Sequence, residues 1–181
     1  MRLVKTLPIL LGLGAALGSV SAWALPNDSQ QPIHISADDA QLDDKQGVAT
    51  YTGGVIITQG SMKITGNTVT ITRNAQGEVD VFTSVGNLAY YEQKPSVDKP
   101  IVQAYAITIQ YYAAQDRIVL IDKAKVINDG NTSEGEKIVY DTVKQIVSAG
   151  RANGGSKVTT PRPRIDMVIQ PKKKTDQQKA Q

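Results

Sequence analysis

The chain has 181 residues, 20 basic and 17 acidic, with one histidine and no cysteine. The absence of cysteine excludes disulfides, thiolate chemistry and cysteine-based metal sites, so the fold must stand on its own core. The net charge of +3 belongs to the ends, because the body from Leu25 to Thr160 holds 12 basic and 15 acidic residues; a nucleic-acid binder would carry its positive charge on the folded body.

At the N-terminus, Arg2 and Lys5 precede the apolar run "LPILLGLGAALGSV", and "SAWA" follows with Ala22 and Ala24 flanking Trp23. That layout predicts a secretory signal peptide over 1–24, cleaved after Ala24. The run is interrupted by Gly12, Gly14 and Gly18 and falls short of the ~20 residues of a spanning helix. A charged start, a short apolar run and a cysteine-free remainder point to a bacterial periplasm. Residues 25–32 read as a linker, and no later run is apolar enough to span a membrane.

From 33 to 158 the chain alternates with period two, the pattern of strands with one apolar face. Ile33 and Ile35 fall on one side of "IHISA" and His34 and Ser36 on the other; Met62 with Ile64, Val69 with Ile71, and Ile138 with Tyr140 pair in the same way. "VDVFTSVG" groups Val79, Val81, Thr83 and Val85, and "YAITIQY" groups Tyr105, Ile107, Ile109 and Tyr111 opposite Ala106, Thr108 and Gln110. Turn signals fall at 43–47, 58–61, 73–77, 113–116, 128–131 and 141–145, and "KPSVDKP" (94–100) reads as a longer exposed connection. Many short strands with frequent turns predict an all-β sandwich, roll or solenoid. Residues 44–57 align weakly with 115–128, and 66–71 with 135–140, as expected of a stacked strand-turn-strand module. Pro161 and Pro163 precede "IDMVI" (165–169), where a short last strand over 164–169 is expected, and 170–181 reads as a disordered basic tail.

Little in this pattern supports chemistry. The glycines of "GVATYTGGVIITQG" (47–60) match neither phosphate-binding loop pattern and no helix follows them. Gly47 and Gly60 mark turns, and Gly53-Gly54 mark a bend in a strand. His34 sits on the polar side of its strand. The acidic pairs Asp38-Asp39 and Asp43-Asp44 point to opposite faces within each pair, and Asp43-Asp44 opens a turn. No catalytic residue, metal site or cofactor is expected. Apolar stripes remain in excess, and "VIIT" (55–58) and "IVLI" (118–121) are apolar on both parities. Such sheets need a second partner, either a ligand or another copy of the chain.

The run "QPIHISADDAQLDDKQGVATYTGGVIITQGSMKITGNTVTI" (31–71), with "YYAAQDRIVLIDKAKV" (111–126) and "GEKIVYD" (135–141), resembles the OstA/LptA family of periplasmic lipopolysaccharide-transport proteins, and the resemblance extends over about residues 31–160. It implies a twisted, open antiparallel β-jellyroll of two facing sheets over 33–169, whose apolar channel holds the lipid A acyl chains of lipopolysaccharide. It also implies a bridge between inner and outer membranes for outer-membrane assembly. The implied partners are the LptC-like jellyroll of an inner-membrane export complex, the LptD-like periplasmic domain of an outer-membrane translocon, and further copies of the chain end to end. By parity, the expected channel residues are Ile33, Ile35, Ile57, Ile64, Ile71, Tyr90, Ile109, Tyr111 and Leu120. Two other readings stay open: a polysaccharide-acting enzyme on a β-solenoid using Asp38, Asp39, Asp43 or Asp44, and a purely structural self-assembling β protein.

Overall fold

A computed structural model describes residues 28–150 and 164–171. The expected signal peptide, the prolines 161 and 163 and most of the basic tail lie outside them. Ten antiparallel strands form one open sheet: β1 (Ile33–Ser36), β2 (Asp39–Asp43), β3 (Val48–Gln59), β4 (Met62–Arg73), β5 (Val79–Gln93), β6 (Val102–Tyr112), β7 (Arg117–Asn128), β8 (Asn131–Asp141), β9 (Ile146–Gly150) and β10 (Asp166–Val168). The expected turns fall between these strands, and 94–101 is the longest described connection. β7 and β8 begin 69 residues after β3 and β4, so 66–71 and 135–140 are equivalent parts of one repeated hairpin, while the expected match of 44–57 with 115–128 is two residues out of that register.

Each long strand is interrupted near its middle. Pairing shifts register between Thr52 and Val55 in β3, Thr65 and Thr68 in β4, Val85 and Ala89 in β5, Tyr105 and Thr108 in β6, and Ile121 and Ala124 in β7. Bulges bend strands and increase their twist. Side by side they form a seam across the sheet. At Gly53 (φ +83) and Gly54 (φ +54) the backbone enters the left-handed region that glycine adopts without a steric penalty.

The seam divides the sheet into two layers. β2 pairs with residues 48–52 of β3, whereas β1 pairs with 56–59. At the far edge, β9 pairs with 137–141 of β8 and β10 with 132–134. Each layer is thus eight segments wide, and they are called here the β1 layer and the β2 layer. A ring contact shows that they face each other. Tyr91 pairs with Ala104 in the β1 layer and Tyr111 with Phe82 in the β2 layer. Seven residues of straight strand β6 between Ala104 and Tyr111 would separate them by about 23 Å, yet the Tyr91 and Tyr111 ring centroids lie 5.8 Å apart. Only a sheet folded over at the seam allows this, and the result is the two-sheet jellyroll that the resemblance implies.

One core fills the space between the layers. The β2 layer supplies Val69, Ile71, Phe82, Ile109, Tyr111, Ile118, Leu120, Ile138 and Tyr140, and the β1 layer Val55, Ile57, Met62, Ile64, Tyr91, Val102, Val126 and four alanines. Ser84 is buried among them, and its hydroxyl donates to the Thr65 carbonyl at 2.9 Å. That carbonyl sits where the β4–β5 ladder is interrupted, so the serine satisfies a group the bulge would strand.

Candidate binding interior

The seam decides which side chains face inward, because one extra residue in a strand reverses its parity. In β5 the inward positions are Phe82 and Ser84 before the seam, then Ala89 and Tyr91 after it. The expected grouping of Val81, Thr83 and Val85 is therefore corrected, as the buried positions there are even. In β6 they are Val102, Ala104 and Ala106, then Ile109 and Tyr111, so Ala106 faces inward and Tyr105 does not join Tyr111.

Of the nine expected channel residues, Ile57, Ile64, Ile71, Ile109, Tyr111 and Leu120 lie in the core. Ile33 and Ile35 are half-buried at the β1 edge and pack against it. Tyr90 is a correction: beyond the bulge it lies on the outer face and Tyr91 takes the inward position, fully buried. The Tyr90 ring stacks on Tyr105 of the neighbouring strand with centroids 5.0 Å apart. Its hydroxyl donates to Glu92 and accepts from Gln103. Partial burial, reinforced by the Glu92 carboxylate, raises its pKa to about 12. Absent from the expected nine are large core residues such as Phe82, Val102, Ile118 and Tyr140, and the small ones Ala89, Ala104, Ala106 and Ala124. The signal for these alanines is glycine at mid-strand, at positions 53, 66, 86 and 135.

The interior is apolar with a few hydroxyls. Burial holds Tyr111 up to about 12, helped by the Asp116 and Asp28 carboxylates. Burial likewise lifts Tyr91 well above the ordinary phenol range. The Tyr91 hydroxyl donates to Gln93 at 2.6 Å, and Gln93 donates onward to Asp28 at 2.8 Å.

Asp28 belongs to a 3-10 turn (Asp28–Gln30) inside the stretch expected as a linker. Its carboxylate also accepts from the Ser61 amide at 2.7 Å and the Ser61 hydroxyl at 2.6 Å. Charge-assisted bonds of this kind are the stronger ones, and they fasten residues 28–31 onto the β3–β4 turn. A Cβ at Gly60 would collide with that carboxylate.

The acidic pairs are occupied with structure. Asp43 accepts the Gln46 amide in its turn, and Asp44 lies 3.9 Å from Arg73. His34 is exposed on β1. Among the described residues no cluster of three metal-binding side chains occurs, and no helix is long and apolar enough to cross a membrane.

A family profile described as LptA/(LptD N-terminal domain) LPS transport protein matches residues 34–146. The chain belongs to this lipopolysaccharide-transport family. It is 66% identical over 174 residues to the lipopolysaccharide export system protein LptH of Pseudomonas aeruginosa, covering 96% of this chain and 99% of that protein. With LptA of Escherichia coli K12 the identity is 34% over 157 residues, 86% of this chain and 83% of the relative. The crystal structure of P. aeruginosa LptH, described as the LptA-homologous periplasmic component of the lipopolysaccharide transport device, superimposes with a TM-score of 0.73 at 64% identity, over 81% of this chain and 100% of that one. The family is one of transport components and not of enzymes.

Proposed function

We propose that the chain binds lipopolysaccharide by the acyl chains of its lipid A, between the two layers, and carries it across the periplasm from the inner to the outer membrane for outer-membrane assembly. The observation that carries this reading is the continuous apolar interior, to which all six long strands contribute and β4 to β7 contribute in both layers. Ile33, Ile35, Ile57, Ile64, Ile71, Ile109, Tyr111 and Leu120 line it, with Tyr91 in the place expected for Tyr90. A buried methylene contributes about 0.8 kcal/mol, so several acyl chains supply ample driving force. The interior side chains are packed on each other, and the layers must part to admit a chain. Parting costs little when lipid replaces protein, because the side chains exchange one apolar contact for another. The open seam-and-layer construction has no covalent tie across it, since cysteine is absent.

The sheet order ends in β1 and β2 on one side and β9 and β10 on the other. Such edges offer unpaired backbone groups to another strand. They support the partners proposed for this chain: an LptC-like jellyroll at the inner membrane, an LptD-like periplasmic domain at the outer membrane, and further copies end to end between them.

The test places a photo-crosslinking residue at Ile35 or Tyr111, and for comparison at the outward Ser36 or Gln110. Lipopolysaccharide adducts are expected at the first two. Adducts confined to Ser36 and Gln110 would place the lipid outside the layers.

A further inference from the structure

The free ends of the two layers meet opposite the seam. There the β5–β6 connection (Pro95, Ser96, Lys99) and Gln93 of the β1 layer face Asp116 and the β8–β9 turn of the β2 layer (Thr142–Gln145) across a cavity of about 440 Å3. The cavity roofs the apolar interior. Gln93 is bonded to the buried Tyr91 hydroxyl, and Asp116 is close enough to raise the pKa of both Tyr91 and Tyr111. Beneath it a second feature is unexplained. Tyr140 is the last inward residue of β8, two positions before Thr142, and its buried hydroxyl has no hydrogen-bond partner among the described residues. A buried hydroxyl is normally satisfied, so this one is a donor available to whatever enters.

The charges around the cavity are unequal. Lys99 has no ion pair among the described residues, Lys144 is tied to Asp141 at 3.1 Å and remains largely exposed, and Asp116 is the one acid of the lining. An amphiphile with its chains in the interior would set its first polar groups at this height, in the order carbonyl, sugar, phosphate. We infer that this mouth holds the phosphorylated sugar headgroup of that amphiphile. Lys99 and Lys144 meet a phosphate, and the Tyr140 hydroxyl donates to a carbonyl of the topmost acyl linkage. The inference rests on the reading of the interior as an acyl-chain site. Asp116 opposes the phosphate, which sets the scale of the effect to that of exposed ion pairs.

The experiment measures binding of lipid A, and of the same lipid A stripped of its phosphates, to the full mature chain. The wild type is expected to prefer the phosphorylated form by about three- to ten-fold. Lys99→Gln with Lys144→Gln should abolish that preference and leave the affinity for the stripped lipid unchanged. Asp116→Asn keeps a side chain that tolerates the left-handed backbone of this residue (φ 46), and should increase the preference. Tyr140→Phe should weaken both lipids alike. Retention of the preference in the double lysine variant overturns the assignment, as does its loss to millimolar inorganic phosphate, which marks a free-anion site. Failure of both lipids to bind the wild type defeats the transport reading itself, and the mouth assignment falls with it.

Discussion

The two layers are made from the same six long strands, yet they bury different side chains. Around strands β5 to β7 the β2 layer presents Phe82, Ile109, Tyr111, Ile118 and Leu120, while the β1 layer presents Ala89, Ala104, Ala106 and Ala124 between Tyr91, Val102 and Val126. Large groups of one layer thus fill the space left by small groups of the other, the usual way for facing sheets to reach interior packing density. The difference also teaches where room can be made. On the proposed reading, an acyl chain would enter on the alanine side and displace a few large side chains of the opposite layer, with both ladders kept.

Substitutions that exchange the characters of the layers should separate their roles. The largest expected effect is Phe82→Ala, a loss of about 3–5 kcal/mol in denaturant unfolding, since Phe82 is fully buried and stacks on Tyr111 with centroids 5.9 Å apart. Alkaline titration comes next. The folded state holds the Tyr111 phenol near 12 against 10 unfolded. The resulting stability is complete below pH 10 and falls as pH rises from 10 through 12, by up to about 3 kcal/mol for this one group. Phenolate absorbance and far-ultraviolet circular dichroism should therefore change together above pH 10, and Tyr111→Phe should shift that loss to higher pH. Ala104→Leu should cost less, about 1–3 kcal/mol of overpacking, but should reduce lipid binding more than Phe82→Ala does in protein that remains folded, because it fills the space the lipid needs. The smallest effect is expected outside. Tyr90→Ala removes a cross-strand pair on the outer face and should cost about 0.2–1 kcal/mol, with lipid binding unaffected.

The strands and turns were legible because period two and the Gly, Asp and Asn signals are local. Asp43 and Asp141 show this, each accepting the amide of the residue three further on in its turn. The family was legible in "YTGGVIITQG" and the later motifs. Facing was legible only in part, because alternation alone does not say which parity turns inward, and in β5 Phe82 and Ser84 rather than Val81, Thr83 and Val85 face the core. Ile57, Ile64, Ile71 and Leu120 came out on the inner face, and Tyr90 did not, because the seam between Val85 and Ala89 lies just before it. The Gly53-Gly54 pair marks a bend on its own, whereas the single glycines Gly66 and Gly86, which continue that bend in the next strands, carry no such local signal. The docking of Asp28 on Ser61 spans 33 residues and leaves no local pattern. Nor does the approach of the two layer ends, which depends on where the whole sheet folds.

The central claim is that lipid lies between the layers and touches the inward faces of both. Lipopolysaccharide carrying a nitroxide on an acyl chain, added to chain labelled at its isoleucine and leucine methyls, tests it in a single spectrum. The account predicts paramagnetic broadening of Ile57, Ile64, Ile109 and Leu120 while the outward Ile56 and Ile146 stay sharp. Broadening of Ile56 and Ile146 with the interior methyls unchanged would contradict it.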